Sequence, residues 1–435
     1  MDVPLSCPDI TDLEVEYVTR VLRSGQLSLG PRVVEFEEKF AAYVGTRYAV
    51  AVNSGTSALH LAVRAQGIGG GDEVITTSFS FVASSNCLIY EYALPVFVDI
   101  DPHTFNLDPR EIQRFIESCC VVNTKTGALT DVRTNRRVRA ILPVHVFGLP
   151  CDMDGIMRIA RKYNLQIIED ACEALGAKYK GKQAGTFGDI GVFAFYPNKQ
   201  MTTGEGGMIV TNDEKTAMLC RSLRNQGRGT ERDWLSHLRL GYNYRLSDIH
   251  SALGLAQLER IKELLRGRTR TAAFYEQALS GHPLIKLPRS VPNCTRSWFV
   301  YPIQLPLSDC SLRDRLLTQL RAQGIGCQAY FPAIHLQPYF QQDYCAQKDF
   351  LPDTEAASKT CLVLPMFSSA TEEQLRYVCK TLLELLETQS LSLAGAAPLR
   401  RDTSSGYKPS GGRDHAHSRM EPHVTIDKLI ADAQS

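Results

Sequence analysis

No stretch of eighteen apolar residues occurs in this 435-residue chain, which excludes an ordinary transmembrane helix. An excess of one charge is missing too: Lys and Arg number 48 against 47 Asp and Glu, a formal net charge of +1. A nucleic-acid protein normally carries a basic excess, so neither nucleic acid nor membrane is an expected partner. The 13 cysteines form no CxxC pair, and their number is odd. Disulfide scaffolds are short and even-numbered, and zinc sites use paired spacings, so the cysteines read as buried thiols with no metal. The N-terminal MDVPLSCPDITDLEVEYV lacks the basic and apolar regions of a secretory signal, so a cytoplasmic protein is expected. No internal repeat and no GxxxxGK[ST] loop is present.

What is there is an alternation. The runs VGTRYAVAV, DEVITTS, PVFVDID, RAILPVHVFG, LQIIED, DIGVFAFY and GGMIVTN read as strands, most of them separated by helical stretches such as SGTSALHLAVRAQ. Seven apolar strands among amphipathic helices predict an α/β domain with a mainly parallel sheet covered on both faces. Only a loop separates the last two runs, so some antiparallel pairing is expected. A long helical stretch over 247–279 leads to a smaller α+β domain built from SWFVYPIQL, a helix over 313–322, GIGCQAYF and TEEQLRYVCKTLLELLETQ. The predicted division is 1–263 for the large domain and 264–390 for the small one. A Gly/Ser/Pro/Arg-rich tail over 391–435 cannot bury enough surface to order itself. His415 and His417 read as part of that solvated tail.

In such sheets ligands collect beyond the carboxyl ends of strands, and four clusters fall there. Gly55, Thr56 and Ser57 follow the strand YAVAV and open a helix, where backbone amides and hydroxyls suit a phosphate. Asp170 ends the strand LQIIED. Lys199 lies in the crowded FAFYPNKQMTTGEGG, where lost solvation makes a lysine a usable nucleophile. Asn243 occupies an aromatic-flanked turn in GYNYRLSDIHSALGLAQLERI. Each alone has a plain structural reading: N-cap, paired acid, surface lysine, turn asparagine. Together they describe a site for pyridoxal 5'-phosphate, with Lys199 as the Schiff-base amine and Asp170 keeping the pyridine nitrogen protonated.

The stretches SGTSALHLA, IIEDACEALGAKYKGKQAGTFGDIGVFAFYPNKQMTTGEGGMIVTND and GYNYRLSDIHSALGLAQLERI resemble the DegT/StrS family of nucleotide-sugar aminotransferases, from about Leu27 to about Leu386. The resemblance implies the fold-type I architecture of pyridoxal-phosphate enzymes. It implies that Phe81 stacks on the cofactor and that Glu173 lies near the cofactor's phenolic oxygen. It also implies that Asn243 reaches the phosphate of a neighbouring subunit, hence a homodimer with shared active sites. The activity implied is a ping-pong transfer of an amino group, from L-glutamate to a keto sugar linked to a nucleotide. Two positions depart from the family's commonest pattern. Glu173 stands where many members have Gln or His, and a carboxyl there must be protonated or find another donor. Ala194 stands where many have a phosphate-binding Ser. Lys199 itself is retained, whereas dehydratase relatives carry His.

Two alternatives stay open at this level: a pyridoxal-phosphate dehydratase or other sugar or cyclitol conversion, and a non-catalytic regulator binding a sugar nucleotide. His335, in YFPAIHLQPYF, is either a substrate contact or a packed surface histidine. Arg221, Arg224 and Arg228 either meet a pyrophosphate or form a solvated helix face.

Overall fold

The segment Tyr48–Val52 buries both of its faces: Val50 and Val52 enter one apolar cluster, Ala49 and Ala51 another. This period-2 division is what a strand covered by helices on both sides requires. The structure, a computed structural model, describes residues 1–229, 236–344 and 351–394, with side chains described as far as 388. Residues 1–389 form one compact unit.

The strands along the first half are β1 (Tyr48–Val52), β2 (Asp72–Thr77), β3 (Leu94–Val98), β4 (Cys120–Val122), β5 (Leu129–Asp131), β6 (Arg136–Leu142) and β7 (Gln166–Asp170). A short ribbon joins β8 (Lys178–Tyr179) and β9 (Lys182–Gln183), and β10 (Ile190–Ala194) and β11 (Gly207–Thr211) follow. The main sheet runs β1-β11-β10-β7-β6-β2-β3, with β4 and β5 added beside β6. The β10–β7, β7–β6, β6–β2 and β2–β3 pairings are parallel. Strand β11 is antiparallel to both β1 and β10, which is the antiparallel pairing expected from the short β10–β11 loop. The seven-strand path matches the expected mainly parallel α/β sheet.

Three sequence expectations need correction. The sheet has nine strands, because the unforeseen hairpin β4–β5 extends it. The helical stretch over 247–279 is two helices, Asp248–Glu259 and Ile261–Leu279, broken at Arg260, whose side chain binds Asp9, Glu14 and Glu263. GIGCQAYF forms only isolated bridges, Ile325 to Val3 and Gln328 to Val363.

β12 (Cys294–Thr295) pairs with β8, and β13 (Tyr301–Gln304) with β14 (Cys361–Leu364). Around the β13–β14 pair, Tyr275, Ile303, Leu316, Leu320, Leu362 and Leu382 make an apolar core of their own. The last described helix is Glu372–Ala394. The tail from 395 onward, with His415 and His417, lies outside the described residues. Among the described residues no helix is long and apolar enough to cross a membrane, and no group of His, Cys, Asp or Glu forms a metal cluster.

Candidate active site

Strand β1 runs parallel to β10 through their shared partner, so β1, β2, β6, β7 and β10 all end at one edge. Ser54 follows β1 and caps the helix Gly55–Ala65; its hydroxyl accepts the Ser57 amide at 3.0 Å. The Gly55 and Thr56 amides, in the first turn, have no intrahelical acceptor and leave the helix N-terminus open to an anion. A Cβ on Gly55 would stand 2.6 Å from the Ala194 Cβ and 3.2 Å from the Cys172 Sγ. Glycine therefore lets the helix start press against the ends of β10 and β7.

Asp170, at the end of β7, is buried. Its Oδ2 accepts the Ser84 hydroxyl at 2.8 Å and its Oδ1 the Cys172 amide at 3.0 Å. Ser84 in turn lies 2.9 Å from the Ser80 hydroxyl. Sequence reasoning missed Ser84; the only local signal was a serine pair four residues apart at a helix start.

Three residues beyond Asp170, Glu173 accepts the Phe147 amide at 2.9 Å, and its other oxygen stands 3.9 Å from the Lys199 Nζ. Burial raises this carboxyl to about 7, while the Lys199 cation and the Phe147 N–H hold it back. The Phe147 amide is a donor to this carboxyl, and burial shifts the carboxyl toward its protonated form. The Cys172 thiol, pushed well up by burial and then by Asp170, stays protonated and inert.

Lys199 keeps only 14% of its side chain exposed, and its Nζ lies 3.9 Å from the centre of the Phe299 ring. The ring face and the Glu173 carboxyl together hold the lysine head in place. Nothing in the local sequence announced Phe299, a hundred positions away.

The segment 170–173 thus brings the helix N-terminus, the strand-end acid and the lysine close together. These donors fit pyridoxal phosphate: open amides and hydroxyls for the phosphate, a buried carboxylate for the ring nitrogen, and an amine for the aldehyde carbon. Phe81 is exposed and lies three residues before Ser84. Asn243 is exposed in a bridge to Asn225. Its flanking tyrosines are anchored inward, Tyr242 to Glu91 at 2.9 Å and Tyr244 to His60 at 3.2 Å.

His335 is packed, but buried rather than at the surface; its Nδ1 lies 2.7 Å from the Ser78 hydroxyl. Arg221 and Arg224 form no solvated face: both reach the buried Glu37 and carbonyls of β1. A surface groove of about 1020 Å³ lined by Asp108, Arg110, Asp152 and Arg158 contains none of the candidate residues. Its acids are engaged, Asp108 with Arg110 and Asp152 in capping the helix Met153–Tyr163.

The sequence model of the DegT/DnrJ/EryC1/StrS aminotransferase family matches residues 8–383. The chain belongs to this family. It is thereby a pyridoxal-phosphate-dependent sugar aminotransferase by class. The family match begins at residue 8, ahead of the stretch from about Leu27 in which the resemblance was legible. The aminotransferase is 39% identical to GDP-perosamine synthase of Caulobacter vibrioides over 88% of this chain and 98% of that protein. It is 34% identical to the spore coat polysaccharide biosynthesis protein SpsC of Bacillus subtilis, over 88% and 97%. The crystal structure of S. venezuelae DesV in complex with a ketimine intermediate superposes with a TM-score of 0.78. That likeness has 33% identity and covers 89% of this chain and 99% of that one.

Proposed function

We propose that this aminotransferase moves an amino group from L-glutamate to a keto sugar carried on a nucleoside diphosphate, in two ping-pong half-reactions. The observation that carries this reading is the junction at 170–173, where a nearly enclosed lysine amine, a buried strand-end carboxylate and an open helix N-terminus converge. Pyridoxal phosphate, when bound, supplies the electron sink that lets a Cα–H bond break.

The chain's own residues do the rest. Residues 54–57 hold the phosphate, and Gly55 brings the helix start close enough to do so. Ser84 and the Cys172 amide hold the Asp170 carboxylate toward the ring nitrogen. Glu173, part-protonated near neutrality, would donate to the phenolic oxygen. Phe81 covers the ring. Lys199 would hold the cofactor through its amine and, as a free amine, would accept and return the proton at the donor Cα. Asn243 serves the phosphate of a second copy, in a cytoplasmic homodimer. Sugar-directed relatives such as the perosamine synthase support the substrate class.

Incubation with L-glutamate and a nucleotide-linked keto sugar is expected to yield 2-oxoglutarate and amino sugar one for one. Loss of water from the sugar with glutamate untouched would make the protein a dehydratase. Sugar binding with no conversion, in protein saturated with cofactor, would make it a regulator.

A further inference from the structure

Arg268 is a charged residue the proposed chemistry does not use. It lies on the helix Ile261–Leu279, is 3% exposed, and has no acidic partner among the described residues. A guanidinium taken out of water without a counter-charge is costly unless its N–H groups find acceptors. Burial lowers it only to about 10, so it remains a cation at neutral pH.

All its acceptors are carbonyls. One terminal nitrogen, Nη2, donates to Lys199 O at 2.6 Å and Asn198 O at 3.3 Å. The other, Nη1, donates to Phe299 O at 3.1 Å, Trp298 O at 3.2 Å and Met366 O at 3.4 Å. The neighbouring Gly267 permits this reach, because a Cβ there would stand 2.4 Å from Ser368 O. The helix backbone can therefore approach the loop that carries Met366.

Two of the segments held by this fork are ones whose side chains meet: the Lys199 Nζ lies over the Phe299 ring. We propose that Arg268 is a positioning residue for Lys199, fixing the backbone of the lysine turn against that of Phe299 and so setting where the amine stands. The inference rests on the reading of Lys199 as the cofactor lysine. A planar fork spans two sets of carbonyls; the single ammonium of lysine does not.

The test separates position from pocket. Apo-protein of the wild type, Arg268→Lys and Arg268→Met is titrated with pyridoxamine phosphate, which has no aldehyde and reports the pocket alone. It is then mixed with pyridoxal phosphate, and covalent capture by Lys199 is followed by absorbance. Both variants are expected to bind pyridoxamine phosphate within about threefold of wild type and to capture pyridoxal phosphate at least about tenfold more slowly, with Lys no better than Met. Equal loss in both measurements would make Arg268 merely structural, and unchanged capture would also overturn the proposal. Should both variants fail to fold, Phe299→Leu, altered on the other side of the same junction, is expected to slow capture while keeping pyridoxamine phosphate affinity; capture at the wild-type rate would overturn the proposal. Wild-type protein that captures no pyridoxal phosphate would sink the cofactor reading itself, before any variant is compared.

Discussion

Glu169 and Glu173 stand four residues apart in IIEDACEAL, both buried, and the structure treats them oppositely. Glu169 accepts four donors: His145 Nε2 at 3.0 Å and the amides of Gly185, Phe187 and Gly188. The Cys151 amide donates to His145 Nδ1, so the ring proton lies on Nε2 and points at Glu169. Among the described residues Glu173 accepts the Phe147 amide alone, faces Lys199 at 3.9 Å, and is raised to about 7. Asp170 lies between them in donor count as well as sequence, with Ser84 and the Cys172 amide. A buried acid saturated with donors serves as a structural tie; one left short of donors keeps its proton and is available for chemistry.

The contrast is broken most directly at Glu169. Glu169→Gln turns one acceptor oxygen into a donor facing other donors, and is expected to cost on the order of 3 kcal/mol of stability, read by denaturant unfolding. A loss below about 1 kcal/mol would deny Glu169 its structural role.

For Glu173→Gln the expected signature is in pH. The folded-state value lies above the ordinary 4.5, so the folded protein binds the extra proton between the two values. Stability from this group is therefore full below pH 4.5 and is lost as pH rises through about 7. At 1.36 kcal/mol per unit the swing is at most about 3 kcal/mol. The Gln variant is expected to lack it; parallel pH profiles for wild type and variant would contradict the assignment.

A smaller effect is expected at Ser84→Ala, which leaves Asp170 with a single backbone donor, as Glu173 has. Losing one hydroxyl bond to a carboxylate weakens cofactor affinity by about 1–2 kcal/mol, with the fold intact by circular dichroism. An unchanged cofactor Kd would place Asp170 away from the ring.

Much of this architecture was readable before any coordinates. The seven-strand path followed from apolar runs of the right length. The candidates Asp170, Lys199 and 55–57 were named from their places at strand ends and a helix start. What was not readable depends on partners distant in sequence. Ser84 reaches Asp170 across 86 positions, and Arg268 reaches Lys199 across 69. Arg221 and Arg224 looked like surface charges because Glu37 lies more than 180 positions away. Nor does IIEDACEAL reveal which of its acids gathers four donors and which gathers one. The hairpin β4–β5 was missed because its strands, three residues each, are too short to show a period.

Whether Lys199 is the amine that holds the cofactor is tested by reduction. Protein reconstituted with pyridoxal phosphate is reduced with borohydride, digested, and the labelled peptide sequenced. A single stoichiometric label is expected on Lys199, abolished by prior conversion of the cofactor with L-glutamate. A label on any other lysine, or a protein that takes none, would contradict it.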